Sequence, residues 1–93
     1  GVATPIQRTL RLLETLDVTP QPGESFAALC HRAAASPSEL SVPLLAVAEA
    51  HQQLAHAPLS RRERQLQQRL WQQALRHLAR SVSDFWSVRA ARR

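Results

Sequence analysis

Residues 60–86 read SRRERQLQQRLWQQALRHLARSVSDFW. Ser60 followed three residues later by Glu63 is the pattern of a capping box, in which a hydroxyl and a carboxylate satisfy two orphan amides at a helix start. Downstream, Leu66, Leu70, Trp71, Ala74, Leu75, Leu78, Val82 and Phe85 recur mostly at helical steps, while Gln65, Arg69, Gln72, Arg76 and Arg80 take the opposite side. That spacing predicts one long amphipathic helix whose apolar arc covers about half its circumference and meets more than one neighbour. Trp71, Leu75, Leu78, Val82 and Phe85 step by four and three like a heptad seam. About two heptads are fewer than a coiled coil needs, so core packing is the expected role. Beyond Trp86 the tail SVRAARR is small and basic and is expected to fray.

Moving back along the chain, Pro58 stops a preceding helix whose stripe is Leu44, Val47, Ala48, His51, Leu54 and Ala55. Proline is tolerated in a first turn and damages a helix interior, so Pro43 implies a short turn over 37–40 and a fresh start near Ser41. In ASPSEL, residues 35–40, Ser36 as N-cap, Pro37 in the first position and Glu39 form another capping box. Residues 19–34, TPQPGESFAALCHRAA, place two prolines and a glycine before Ser25, an N-cap for the stripe Phe26, Leu29, Cys30 and Ala33. A phosphate-cradling loop needs several glycines and often a Lys-Ser or Lys-Thr pair, so this stretch reads as a corner. At the start, Thr4 and Pro5 suit the N-cap and first position of a helix that faces inward through Ile6, Leu10 and Leu13, widened by Leu12 and Leu16. It is expected to end near Asp17 or Val18, ahead of Pro20 and Pro22.

Strand patterns are nearly absent, with no tyrosine and no run of alternating apolar and polar residues. The sequence predicts an all-α fold, a compact antiparallel bundle of about four helices at approximately 4–17, 25–35, 41–56 and 60–86, with a proline-rich corner at 19–25. Its 93 residues suffice for one domain, 1–93. No run is long enough to cross a bilayer, and no signal-peptide pattern is present. A chain that begins with Gly and contains no Met is expected to be a fragment of a longer protein. A lone cysteine, Cys30, points to a reducing compartment. All twelve basic residues are Arg, giving a net charge of +5 and a pI near 11.5. Such a balance suits nucleic acid, anionic lipid or an acidic partner, and equally follows from a GC-rich genome.

No catalytic, metal or cofactor site is expected. The histidines are His31, His51, His56 and His77, and the five-residue step from His51 to His56 does not bring two rings to one helix face. His51 reads as a core-edge residue and His77 as a surface one. Cys30 and His31 are neighbours, which on a helix point about 100° apart and form no activated couple. Glu14, Glu24, Glu39, Glu49, Glu63 and Asp84 read as caps or surface charges. The candidate interaction residues are Arg61, Arg62 and Arg64, set at a helix start where the macrodipole favours anions, the alternative being an ordinary solvated face. No aromatic residue interleaves them as a stacking platform for single-stranded nucleic acid requires.

LLETLDVTPQPGESFAALCHRAA together with PSELSVPLLAVAEAHQQLAHAPLSRRERQLQQRL resembles a bacterial domain of unknown function found at the C-terminus of transglutaminase-like membrane proteins, after their last transmembrane helix. The shared features are the corner Pro22–Ser25, Ser38–Leu40, Pro58–Ser60 and the capping Glu63, over about residues 10–78. Leu29 stands where relatives commonly have an aromatic residue. His51 and His56 stand in place of tyrosines, and Ala55 replaces an arginine. The family's catalytic Cys, His and Asp lie in a separate upstream domain, so no residue here inherits that role.

The resemblance implies a non-catalytic interaction or regulatory tail on the cytoplasmic side of the bacterial inner membrane. It would be joined to transmembrane helices outside this chain and partnered by a protein or by the rest of its own chain. The excess of arginine agrees with a cytoplasmic flank. The alternative is a small basic nucleic-acid-binding module using Arg61, Arg62, Arg64, Arg69 and Arg76.

Overall fold

The computed structural model describes residues 4–35 and 38–91. It contains four α-helices, α1 (Pro5–Glu14), α2 (Phe26–Ala34), α3 (Ser41–His56) and α4 (Arg61–Ala91), with a 3-10 turn, Ser38–Leu40, leading into α3. The fold is an all-α bundle, and the described residues form no strand. The capping box expected of Ser36 and Glu39 rests on Ser36 and Pro37 and lies outside the described residues.

Each helix start follows from its sequence. Thr4 accepts the Gln7 amide at 3.2 Å while its own amide donates to the Gln7 side chain at 3.0 Å, so Gln7 completes a capping box. Ser25 accepts the Ala28 amide at 3.1 Å. Pro43 falls in the first turn of α3, where its missing N–H breaks no intrahelical bond, and its ring is buried. The other end of α3 stops at an extended Ala57, the conformation favoured before Pro58.

α1 is shorter than its periodicity predicts, ending at Glu14 rather than near Asp17 or Val18. The prolines are not the cause. Val18 donates to the Leu13 carbonyl at 3.0 Å and Asp17 to that of Glu14 at 3.0 Å, with Asp17 in the left-handed region at φ 60°. This pairing is a Schellman motif, and it turns the chain before Pro20 is reached.

Residues 19–25 form a corner held by polar contacts. The Glu24 amide donates to the Gln21 carbonyl at 3.0 Å across Pro22 and Gly23, the latter at φ 76°, as a type II turn requires. Arg32 on α2 then grips the turn, donating to both Glu24 oxygens at 2.8 and 2.9 Å and to the Thr19 carbonyl at 2.7 Å. These bonds, with the Gln21 amide and the Arg32 charge, hold the Glu24 carboxyl at about 2.

Packing centres on α3, which lies against both α2 and α4, while α1 covers another side of α4. Leu13, Leu29, Cys30, Leu40, Leu44, Val47, Leu75 and Leu78 are almost wholly buried. Thr9 is buried as well, its hydroxyl satisfied by donating to the Pro5 carbonyl at 2.9 Å. Two expectations for α4 require correction. Leu66 and Leu70 are 50% and 42% exposed, because the buried arc is set by Trp71, Ala74, Leu75, Leu78 and Val82, and Leu70 is turned about 100° from Trp71. The helix also continues to Ala91 rather than fraying after Trp86. Arg89 lies over the rings of Phe85 and Trp86 at 5.4 and 6.0 Å, four and three residues back, and its charge favours a helix C-terminus. Ala55, expected in the α3 stripe, is exposed, and Ala50 is buried instead.

Leu78→Ala should lower unfolding stability by about 2–5 kcal/mol in urea titration, and Leu66→Ala by under about 1 kcal/mol, since only the former opens a cavity. Asp17→Gly should raise the melting temperature, by the equivalent of about 0.5 kcal/mol, because glycine relieves the left-handed strain.

Candidate interaction surface

Cys30 lies in the core with no exposed surface, and burial pushes its thiol up to about 12. The thiolate needed for nucleophilic attack is therefore scarce at neutral pH. His31 beside it is exposed. His51 sits half-buried between Phe26 and Trp71, edge-on to both at 4.8 and 5.4 Å between ring centres. Desolvation first, then the charge of His56, lower its pKa below 6.5. The Trp71 indole N–H is buried with no hydrogen-bond partner. Among the described residues no three metal-capable side chains come together.

Arg61, Arg62 and Arg64 are all exposed at the start of α4. The capping box there is formed, with the Glu63 amide donating to Ser60 at 3.2 Å and the Ser60 amide to the Glu63 carboxylate at 3.3 Å. The helix start is thus capped by its own anion. Arg64 turns toward α3 and donates to the Leu54 carbonyl at 3.4 Å. Arg61 and Arg62 leave the helix about 100° apart.

A second basic arrangement runs along α4. Arg62, Arg69, Arg76 and Arg80 are spaced by seven, seven and four residues, and all are exposed. On a helix they fall within a sector of about 40° and span about 27 Å. Arg69, Arg76 and Arg80 belong to the outer face expected from the spacing, and the same spacing places Arg62 on their line. Gln65 and Gln72 occupy the positions four residues before Arg69 and Arg76, where a glutamate would add about 0.2–0.5 kcal/mol of helix stability. Arg76 stands four before Arg80, a like-charge pair that opposes the helix by a similar amount. Asp84 follows Arg80 by four residues without pairing to it, and among the described residues the ion pair is that of Glu24 with Arg32.

Two hollows adjoin this row. Arg76 and Arg80 share one with Gln73 and His77. Arg8 and Arg11 on α1 face Leu75 and Ala79 across a shallow groove between α1 and α4. On another side, α3 and α4 enclose an apolar groove floored by Ala46, Ala50 and Ala74 and rimmed by Leu70. Further along, Phe85 and Val88 line a cleft of about 300 Å³ beside Glu39.

No family model matches the chain, and neither a curated protein nor a solved structure does. These comparisons link the chain to no transglutaminase-like protein.

The lowered pKa of His51 makes stability pH-dependent with a definite sign. The unfolded chain takes up the proton near pH 6.5 and the folded chain only lower, so stability is lost as pH falls from about 6.5 through the folded value. Melting followed by circular dichroism at pH 7.5 and 5.5 should show a drop that is smaller in His51→Phe. The Glu24 contribution is lost separately, as pH falls from 4.5 toward about 2.

Proposed function

We propose that this chain is a non-catalytic interaction or regulatory domain, the cytoplasmic tail of a membrane-anchored transglutaminase-like protein. The observation that supports an interaction role is the economy of α4, which buries five of its 31 residues in the bundle and leaves an arginine row and several large apolar side chains in solvent. Leu66, Leu70, Trp86 and Val88 on its flanks are 41–50% exposed, apolar area that a partner would cover. The buried, protonated Cys30 thiol and the unclustered carboxylates give no support to acyl-transfer chemistry within this chain.

The parent protein is inferred from the motifs. Pro22–Ser25 builds a turn and a cap, Ser38–Leu40 the 3-10 entry to α3, and Ser60 with Glu63 the cap of α4. Those residues thus act as the turns and caps of a helical domain. No helix among the described residues is long and apolar enough to cross a membrane, so the anchor in this reading lies outside the chain.

The test is membrane fractionation of source cells with an antibody to this domain, followed by protease treatment of spheroplasts and of inverted vesicles. The reading expects a membrane-bound epitope protected in spheroplasts and cut in inverted vesicles. A small product free in the supernatant would overturn it.

A further inference from the structure

We infer that the outer face of α4 docks into the major groove of duplex DNA, with Arg62, Arg69, Arg76 and Arg80 as its contacts and Arg8 and Arg11 of α1 reaching the backbone at one flank. This goes beyond the membrane-tail reading and does not depend on it. The row itself consists of arginines alone, with Asp84 one turn beyond its C-terminal end. The carboxylate of Glu63 caps its own helix, and Glu24 is held by Arg32 on α2. The positions one turn before Arg69 and Arg76 hold glutamine, and among the described residues no ion pair ties up the row. A polyanion supplies the partner charge.

Shape and composition choose among polyanions. The row crests a helix about 10–12 Å across, which matches the ~12 Å major groove of B-form DNA. The deep, narrow major groove of A-form RNA excludes such a helix. Single strands are held by stacking on aromatic rings, and neither the row nor its neighbours Gln65, Gln72 and Gln73 provides one. An interfacial helix enters a bilayer with a continuous apolar face, whereas the exposed Leu66, Leu70, Trp86 and Val88 are split between the two ends of α4 and the apolar residues between them are buried in the bundle. Glutamine amides and guanidinium groups are the side chains that pair bidentately with purine edges in a major groove.

The test is fluorescence anisotropy of the purified chain with a labelled duplex of about 20 bp, spanning two helical turns. Four to six phosphate contacts predict an affinity falling about 10²- to 10³-fold between about 50 and 200 mM salt. The double variant R69E/R76E should bind at least about tenfold more weakly at low salt. The control R61E/R64E changes net charge equally off the row and should bind more tightly than R69E/R76E. Both pairs are exposed, and circular dichroism of each variant checks that it melts as the parent does. Equal losses in the two double variants would overturn the proposal by reducing it to net charge. Tighter binding to the single strand, or binding to phosphatidylglycerol vesicles with none to duplex at low salt, would overturn it as well. Neither result would bear on whether the chain is tethered to a membrane.

Discussion

The seam between α3 and α4 is the contact on which the rest of the molecule depends. Leu44, Val47, Ala48 and Ala50 on one side and Trp71, Ala74, Leu75, Leu78 and Val82 on the other belong to one buried cluster. Alanines among the larger side chains allow two helices to approach closely while leucines fill the space above and below. Because α2 packs on α3 and α1 on α4, loss of the seam would separate the molecule into two helix pairs, each with an uncovered apolar face. Helices of nine and ten residues have little stability in isolation, so α1 and α2 owe their order to this packing.

The corner before α2 solves a different problem. A chain leaving α1 must reverse and begin a new helix within a few residues. Asp17 in the left-handed region ends the first helix, Pro22 and Gly23 make the turn, and Arg32 binds the result through Glu24 and Thr19. Its polar groups are therefore engaged in folding, which leaves α4 as the place where side chains remain free for another molecule. The length of α4 makes this possible. At about 46 Å it runs along most of the 50 Å long axis, and its neighbours cover only part of its circumference.

The distinction between buried and free chemistry also runs through the residues that suggest reactivity. Cys30 and His51 are the chemically versatile groups nearest the core, and desolvation disfavours the charged form of each. The arginines of the α4 row stay in water, and among the described residues none of them forms an ion pair. What the described residues present to solvent is accordingly surface charge and some exposed apolar area.

Helix number, type and most boundaries were legible because they depend on local rules: proline excludes hydrogen bonds, serine and threonine cap, and apolar spacing marks a face. α3 and the start of α4 fall where Ser41, Pro58 and Ser60 put them. The arginine row was present in the spacing too, since position on a helix surface follows from residue number alone. The tertiary structure decided what local rules cannot contain. Leu66 and Leu70 were expected in the same broad apolar arc as Leu75 and Leu78, and the placement of α1 and α3 narrows that arc so that the first pair stays in solvent and the second is buried. Asp17 ends α1 through a left-handed conformation that many sequences allow and few require, and Arg32 reaches Glu24 only after α2 has turned back over the corner. Local sequence sets which face of a helix is apolar, and burial of that face depends on the neighbours that the whole chain brings to it.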